Sequence, residues 1–187
     1  MTNVHKIVFI GEPGAGKTTC IAAVSDIEPA STDVECTDEL RLRKDTTTVA
    51  LDYGELCLGD QGRLLLYGLP GQARFRFMFD VVREGLLGAA VLVDASSGSL
   101  QGLEDTLSTY ADELRRLPCV IAVNRCTGDA QAIQRQCLEL LQSHRLVAPV
   151  IVVDARRRAD VVRTFELLFL QLEHAIVRQP QGATACS

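Results

Sequence analysis

Short runs of β-branched and apolar residues alternate along the chain with longer stretches of helical periodicity. Val4 to Ile10, Val49 to Leu58, Leu64 to Tyr67, Ala89 to Val93, Val120 to Val123 and Val150 to Val153 predict strands. Most of these runs are apolar at consecutive positions, as strands covered on both faces are. Helical patterns fall near 17–26, 100–116, 129–143 and 158–177. In the last of these, Val161, Val162, Phe165, Leu168, Phe169 and Leu172 recur at helical spacing and make one broad apolar face. Alternating strands and helices imply right-handed crossovers, hence an α/β fold with a six-stranded, mostly parallel sheet and helices on both faces. One pair departs from this rule. Only Gly59-Asp60-Gln61-Gly62 separates Val49–Leu58 from the strand that begins at Arg63, which leaves no room for a helix and predicts an antiparallel hairpin at the sheet edge. Asp26 to Asp45 is polar and pattern-poor, and connections of that length are usually functional or mobile. The pattern predicts one domain over 1–177 and a breaker-rich, flexible tail over 178–187.

Composition narrows the function. A 187-residue chain that is 47% hydrophobic can fill one core, and a net charge of −5 supplies no global basic field for nucleic acid or anionic lipid. No stretch approaches the roughly 18 apolar residues of a membrane span. The expectation is a cytoplasmic protein with no nucleic-acid partner and no stable membrane anchor. Seven cysteines without a CxxC pair spell neither a disulfide framework nor a zinc site, so they are expected as reduced, mostly buried thiols. His5, His144 and His174 are scattered without metal or triad spacing, and Arg156-Arg157-Arg158 reads as a solvated turn and helix start.

The chemistry is concentrated in Gly11-Glu12-Pro13-Gly14-Ala15-Gly16-Lys17-Thr18, which satisfies GxxxxGK[ST] directly after a predicted strand and directly before a predicted helix. Glycine lets the backbone wrap an oligophosphate so that successive N–H groups and the helix N-terminus face its charge. Glu12, Pro13, Gly14, Ala15, Gly16, Lys17, Thr18 and Thr19 are the expected phosphate-binding residues. Lys17 would lie between β- and γ-phosphates, and the Thr18 hydroxyl would ligate Mg²⁺.

A second cluster, Tyr67-Gly68-Leu69-Pro70-Gly71-Gln72-Ala73-Arg74-Phe75-Arg76, resembles the DTAGQERF stretch of Ras-like small GTPases, matching it at Gly71, Gln72, Arg74 and Phe75. Thr48-Val49-Ala50-Leu51-Asp52-Tyr53 is similar to their TIGVDF stretch. Asn124-Arg125 falls where the family has NKxD, and Asp154-Ala155-Arg156 where it has SAK. The nearest resemblance is to the bacterial MglA-like branch and the related conservon GTPases, whose second cluster often has a PGQ form. It implies a phosphate-loop G-domain that binds and slowly hydrolyses GTP with Mg²⁺. It also implies a roadblock/LC7-type regulatory partner and a role in bacterial polarity, motility or signalling. Carried over by residue, the resemblance places Thr48 on Mg²⁺ and the γ-phosphate, Gly71 on the γ-phosphate, and Gln72 on the attacking water, with Lys17 as the other catalytic group. Asn124, Arg125, Ala155 and Arg156 would surround the base.

Two positions break the family pattern. Gly68 stands where most relatives have the Asp that holds a water on the metal, and Thr127 stands where NKxD has the carboxylate that reads guanine. Asp129 could take the second role only if the Thr127-Gly128 turn re-aims it. Arg41, Arg43 and Lys44 lie in the first-switch loop, where a solvated loop and a source of transition-state charge are both open readings. Two alternatives stand beside the GTPase: a non-hydrolysing nucleotide-binding interaction module, favoured by Gly68 and Thr127, and an ATP-dependent phosphotransferase, since GEPGAGKTT also suits nucleotide kinases.

Overall fold

The computed structural model of the chain describes residues 4–34, 49–59 and 62–178. The strands are β1 (Val4–Gly11), β2 (Ala30–Val34), β3 (Val49–Cys57), β4 (Arg63–Pro70), β5 (Leu86–Asp94), β6 (Cys119–Asn124) and β7 (Val150–Val153). The helices are α1 (Lys17–Val24), α2 (Phe77–Val82), α3 (Gln101–Leu114), α4 (Ala130–Ser143) and α5 (Arg158–Arg178), and a 3₁₀ turn spans Ala73–Phe75. The strands form one sheet in the order β2-β3-β4-β1-β5-β6-β7. β1 pairs in parallel with β4 and β5, and the parallel run continues through β6 to β7.

Alternation along the strands divides the core into two layers. Val8 and Ile10 of β1, with Val91, Val93, Ile121 and Val123, pack under α2, α3 and α4. Ile7 and Phe9, with Ala90, Leu92, Val120 and Ala122, pack under α1 and α5, where Phe9 meets the Phe165 ring at 5.9 Å between centroids. β1 is buried on both faces from Ile7 onward, which is why its sequence reads as an unbroken apolar run.

The expected six strands are all present, and the structure corrects their number to seven. β2 falls within the segment read as a loop, and it pairs antiparallel with β3 from Ala30↔Tyr53 to Val34↔Val49. Ala-Ser-Thr-Asp-Val carries no apolar alternation, so a strand held by its backbone ladder at a sheet edge left no hydrophobic mark. The predicted β3–β4 hairpin is antiparallel as expected, with β2 and not β3 at the edge. The six-residue α2 was also unannounced, being too short to show a helical period. Residues 35–48, 60–61 and 179–187 lie outside the described residues, and with them the expectations for Thr48, Arg41, Arg43, Lys44 and most of the tail. Among the described residues no helix is long and apolar enough to cross a membrane. Cys20, Cys119 and Cys137 are buried free thiols, and burial pushes Cys119 up to about 12 and Cys137 to about 11.

Candidate functional site

The connections that follow β1, β4, β6 and β7 lie at the carboxyl edge of the parallel strands. The chain runs from β1 toward β4 on one side and reaches β5 on the other, so this edge contains a topological switch point, the usual ligand crevice of open α/β sheets. The Gly11–Thr18 segment lies at this edge, between β1 and α1. Gly16 has φ 109°, and a side chain there would begin 2.6 Å from Asn124 Nδ2, so both backbone conformation and space require glycine. Cys20 N–H donates to Gly16 O at 2.8 Å as α1 begins. The amides of Lys17, Thr18 and Thr19 precede that bond, and a helix leaves such first-turn N–H groups without intrahelical acceptors. Their dipoles make this end of α1 favourable to an anion.

Lys17 Nζ donates to Gly11 O at 3.0 Å and Glu12 O at 2.9 Å. Burial lowers its pKa, against the opposing pull of Asp52 and Glu12. The Thr18 hydroxyl donates to Asp52 Oδ2 at 2.6 Å. Asp52 was noted from the sequence only as part of the Thr48–Tyr53 stretch. It faces Gly68 across the β3–β4 ladder, and a Cβ at Gly68 would lie 2.9 Å from both Asp52 Cβ and Asp52 Oδ2. The Asp52 carboxylate thus stands on the opposing strand in the space a side chain at 68 would need. A lone Asp opposite a mid-strand glycine was the available sign, since glycine within a strand often marks close approach by another group.

Gly71 lies immediately after β4, and its N–H donates to Gly11 O at 2.9 Å. Its Cβ would meet Thr106 Oγ1 at 2.2 Å, so the close approach of α3 excludes any side chain. Gln72 is half-buried, and its Oε1 accepts from Arg74 Nε at 3.1 Å, while the Arg74 guanidinium lies 4.7 Å over the Phe75 ring.

Asn124 braces three connections. It is 4% exposed, donates through Nδ2 to Ala15 O at 2.9 Å, and accepts at Oδ1 from Ala155 N at 3.2 Å. Arg125 adopts a left-handed backbone, φ 54°, and its Nη1 reaches Gly14 O at 2.8 Å and the Asp94 carboxylate. Arg156 makes a two-pronged ion pair with Asp154, at 2.9 and 2.8 Å, and these bonds hold the Asp154 carboxyl down at about 2. Arg158 is more than a solvated helix start, because its Nη1 donates to Val24 O at 3.0 Å and closes the C-terminal end of α1. His144 meets Glu104 at 3.1 Å between α4 and α3, and among the described residues no cluster of three or more His, Cys, Asp or Glu could hold a metal.

The Thr127-Gly128 turn does not re-aim Asp129. Its Oδ1 accepts from Gln131 N at 2.9 Å and Ala132 N at 3.2 Å and so caps α4. Asp129→Ala is expected to cost about 1 kcal/mol of stability, a fall in Tm of roughly 2–4 °C, through loss of that cap. The same variant is expected to keep the wild-type ratio of GTP to ATP affinity. Thermal melts with competition titrations check both, and a collapsed ratio would return the base-reading role to Asp129.

Fold and site define an α/β protein with a glycine-rich loop and lysine-led helix at the switch point of its sheet. No family model matches the chain. Over 120 residues it is 30% identical to uncharacterized protein MJ1339 of Methanocaldococcus jannaschii, a match spanning 64% of this chain and 69% of the archaeal one. The chain belongs to the family of that protein.

Proposed function

We propose that this chain is a G-domain of the phosphate-loop class, a cytoplasmic switch that binds GTP and slowly hydrolyses it to GDP with Mg²⁺. One observation carries the reading: the Gly11–Thr18 loop presents Lys17 and the first-turn amides of α1 while the Thr18 hydroxyl rests on Asp52. A hydroxyl and a carboxylate are hard oxygen donors of the kind Mg²⁺ accepts, and this ion takes few protein ligands when substrate phosphates and water complete its shell. Thr18 and Asp52 would hold it here, with Thr48 as the third residue the resemblance assigns. When bound, it neutralises charge on the β- and γ-phosphate oxygens.

The chain's own groups divide the remaining work. The loop amides and Lys17 bind the phosphates, while Asn124 and Ala155 keep the base-side connections registered to the loop. Gly71 N–H would leave Gly11 O for the γ-phosphate, and Gln72 would exchange Arg74 for the attacking water. Water then attacks the γ-phosphorus in line, the bond to the β–γ bridging oxygen breaks, and the water proton ends on the released phosphate. A roadblock/LC7-type partner docking on the Gln72 segment would accelerate the step, and a place in bacterial polarity, motility or signalling rests on the resemblance alone.

The competing reading is an interaction module that holds nucleotide without hydrolysing it. It is favoured by the engagement of Gln72 with Arg74 and of Gly71 with Gly11. Single-turnover phosphate release separates the two. Wild type is expected near the Ras-like intrinsic scale of about 10⁻⁴ per second, and Gln72→Ala at least tenfold slower. Equal rates would remove Gln72 from catalysis, and bound GTP with no release would establish the module.

A further inference from the structure

One face of α3 grips the segment that contains Gln72. Thr106, Tyr110 and Glu113 follow one another at spacings of four and three, which places them on one side of the helix. Thr106 Oγ1 occupies the space beside Gly71, the Tyr110 hydroxyl donates to Pro70 O at 3.1 Å, and Arg76 donates to Glu113 Oε1 through Nε at 3.1 Å and through Nη2. Thr106 and Tyr110 are 1% and 0% exposed, so the first two contacts belong to a packed surface. Glu113 is turned inward as well: among the described residues its buried Oε2 has no hydrogen-bond partner, and Arg76 pairs with its other oxygen. That bond also raises the Arg76 pKa.

Held this way, Gly71 keeps its N–H on Gly11 O, the same carbonyl that accepts from Lys17 Nζ. The amide is therefore committed within the protein. Bringing it to a terminal phosphate requires the 70–76 segment to shift against α3, and the Arg76–Glu113 pair and the Tyr110–Pro70 bond both resist that shift. A contact made in only one of two states biases their equilibrium by its own free energy.

We propose that Arg76 and Glu113 are positioning residues that act through Gly71 and Gln72, setting how strongly the site prefers a nucleoside triphosphate over a diphosphate. The inference rests on the GTP-binding reading of the site. Because the pair is half-exposed, its removal has a modest effect. Glu113→Gln and Arg76→Ala each raise the ratio of triphosphate to diphosphate affinity by about two- to fivefold. Tyr110→Phe, which keeps the ring packed against Phe79, acts in the same direction.

The test uses the full chain and two readouts. Calorimetry with GDP and a non-hydrolysable GTP analogue gives the affinity ratio for wild type, the three single variants and the Arg76→Glu/Glu113→Arg exchange. Hydrogen exchange of the nucleotide-free proteins follows the Gly71 amide. The expected result is a raised ratio and faster Gly71 exchange in the single variants, with both returned toward wild type by the charge exchange. A ratio that is unchanged or lowered in the singles overturns the proposal, as does a charge exchange that restores nothing. If wild type binds neither nucleotide, the GTP-binding reading fails by itself, and the Gly71 exchange rates alone then uphold or overturn the clamp.

Discussion

Lys17→Ala is expected to lose nucleotide binding and keep its fold. The two carbonyls that Lys17 engages each retain another donor, since Gly11 O also accepts from Gly71 N at 2.9 Å and Glu12 O from Ala15 N at 3.2 Å. Truncation therefore strands no buried acceptor, the usual source of large stability losses at such sites. The ligand is affected differently. Removing one partner of a desolvated charge pair costs about 2–5 kcal/mol, which is at least a 30-fold loss of phosphate affinity. Burial has already lowered the Lys17 pKa, so the ammonium is poorly solvated and a phosphate would replace interactions that water does not supply. Calorimetry with Mg²⁺ and GTP measures the loss, and thermal melting should place the variant within a few degrees of wild type. A folded Lys17→Ala protein with undiminished affinity would reduce the motif to a glycine turn with an incidental lysine.

What was legible in the sequence was what local pattern encodes. Ile7 to Ile10 announced a strand covered on both sides, and the structure divides those residues alternately between two helical layers. The glycine and lysine spacing after it placed the loop correctly because that motif is contiguous. Relations between distant residues were not legible in the same way. Asp52 and Gly68 are brought together by the register of a hairpin, and neither residue in isolation shows that one fills the other's space. β2 escaped because its pairing is made by backbone groups, which hydropathy does not register. Asp129 was open to two roles, since its position directly before Ala-Gln-Ala-Ile is also a helix N-cap signature and only the geometry of the Thr127-Gly128 turn decides between them. The grip of α3 on the Gln72 segment was likewise hidden, since Thr106, Tyr110 and Glu113 read as an ordinary helix until the 70–76 segment is laid against them.

The Asp52–Gly68 arrangement makes an apparently restorative substitution harmful. Gly68→Asp would introduce the residue that most Ras-like GTPases have at the resembling position, yet its Cβ would arrive 2.9 Å from Asp52 Cβ and Oδ2. Overpacking of this kind typically costs about 1–3 kcal/mol, and two carboxylates sharing one site repel and raise each other's pKa. The variant is expected to melt several degrees lower and to bind Mg²⁺·GTP no more tightly than wild type. Asp52→Asn keeps the size of the side chain and removes its charge, so its expected effect falls on the metal and on Lys17, whose pKa Asp52 helps to hold up. Mg²⁺ dependence of nucleotide retention should weaken by about 10- to 100-fold, the range seen when groups supporting a metal site are lost. Exchanging the pair, Asp52→Gly with Gly68→Asp, moves the carboxylate to the neighbouring strand and empties the space it came from. That double variant is expected to recover the stability lost in Gly68→Asp and most of the Mg²⁺ response lost in Asp52→Asn. Mg²⁺ titrations of nucleotide release, read beside thermal melts, distinguish the cases, and a Gly68→Asp protein that is fully stable and binds Mg²⁺ more tightly would show that Asp52 does not supply the missing carboxylate.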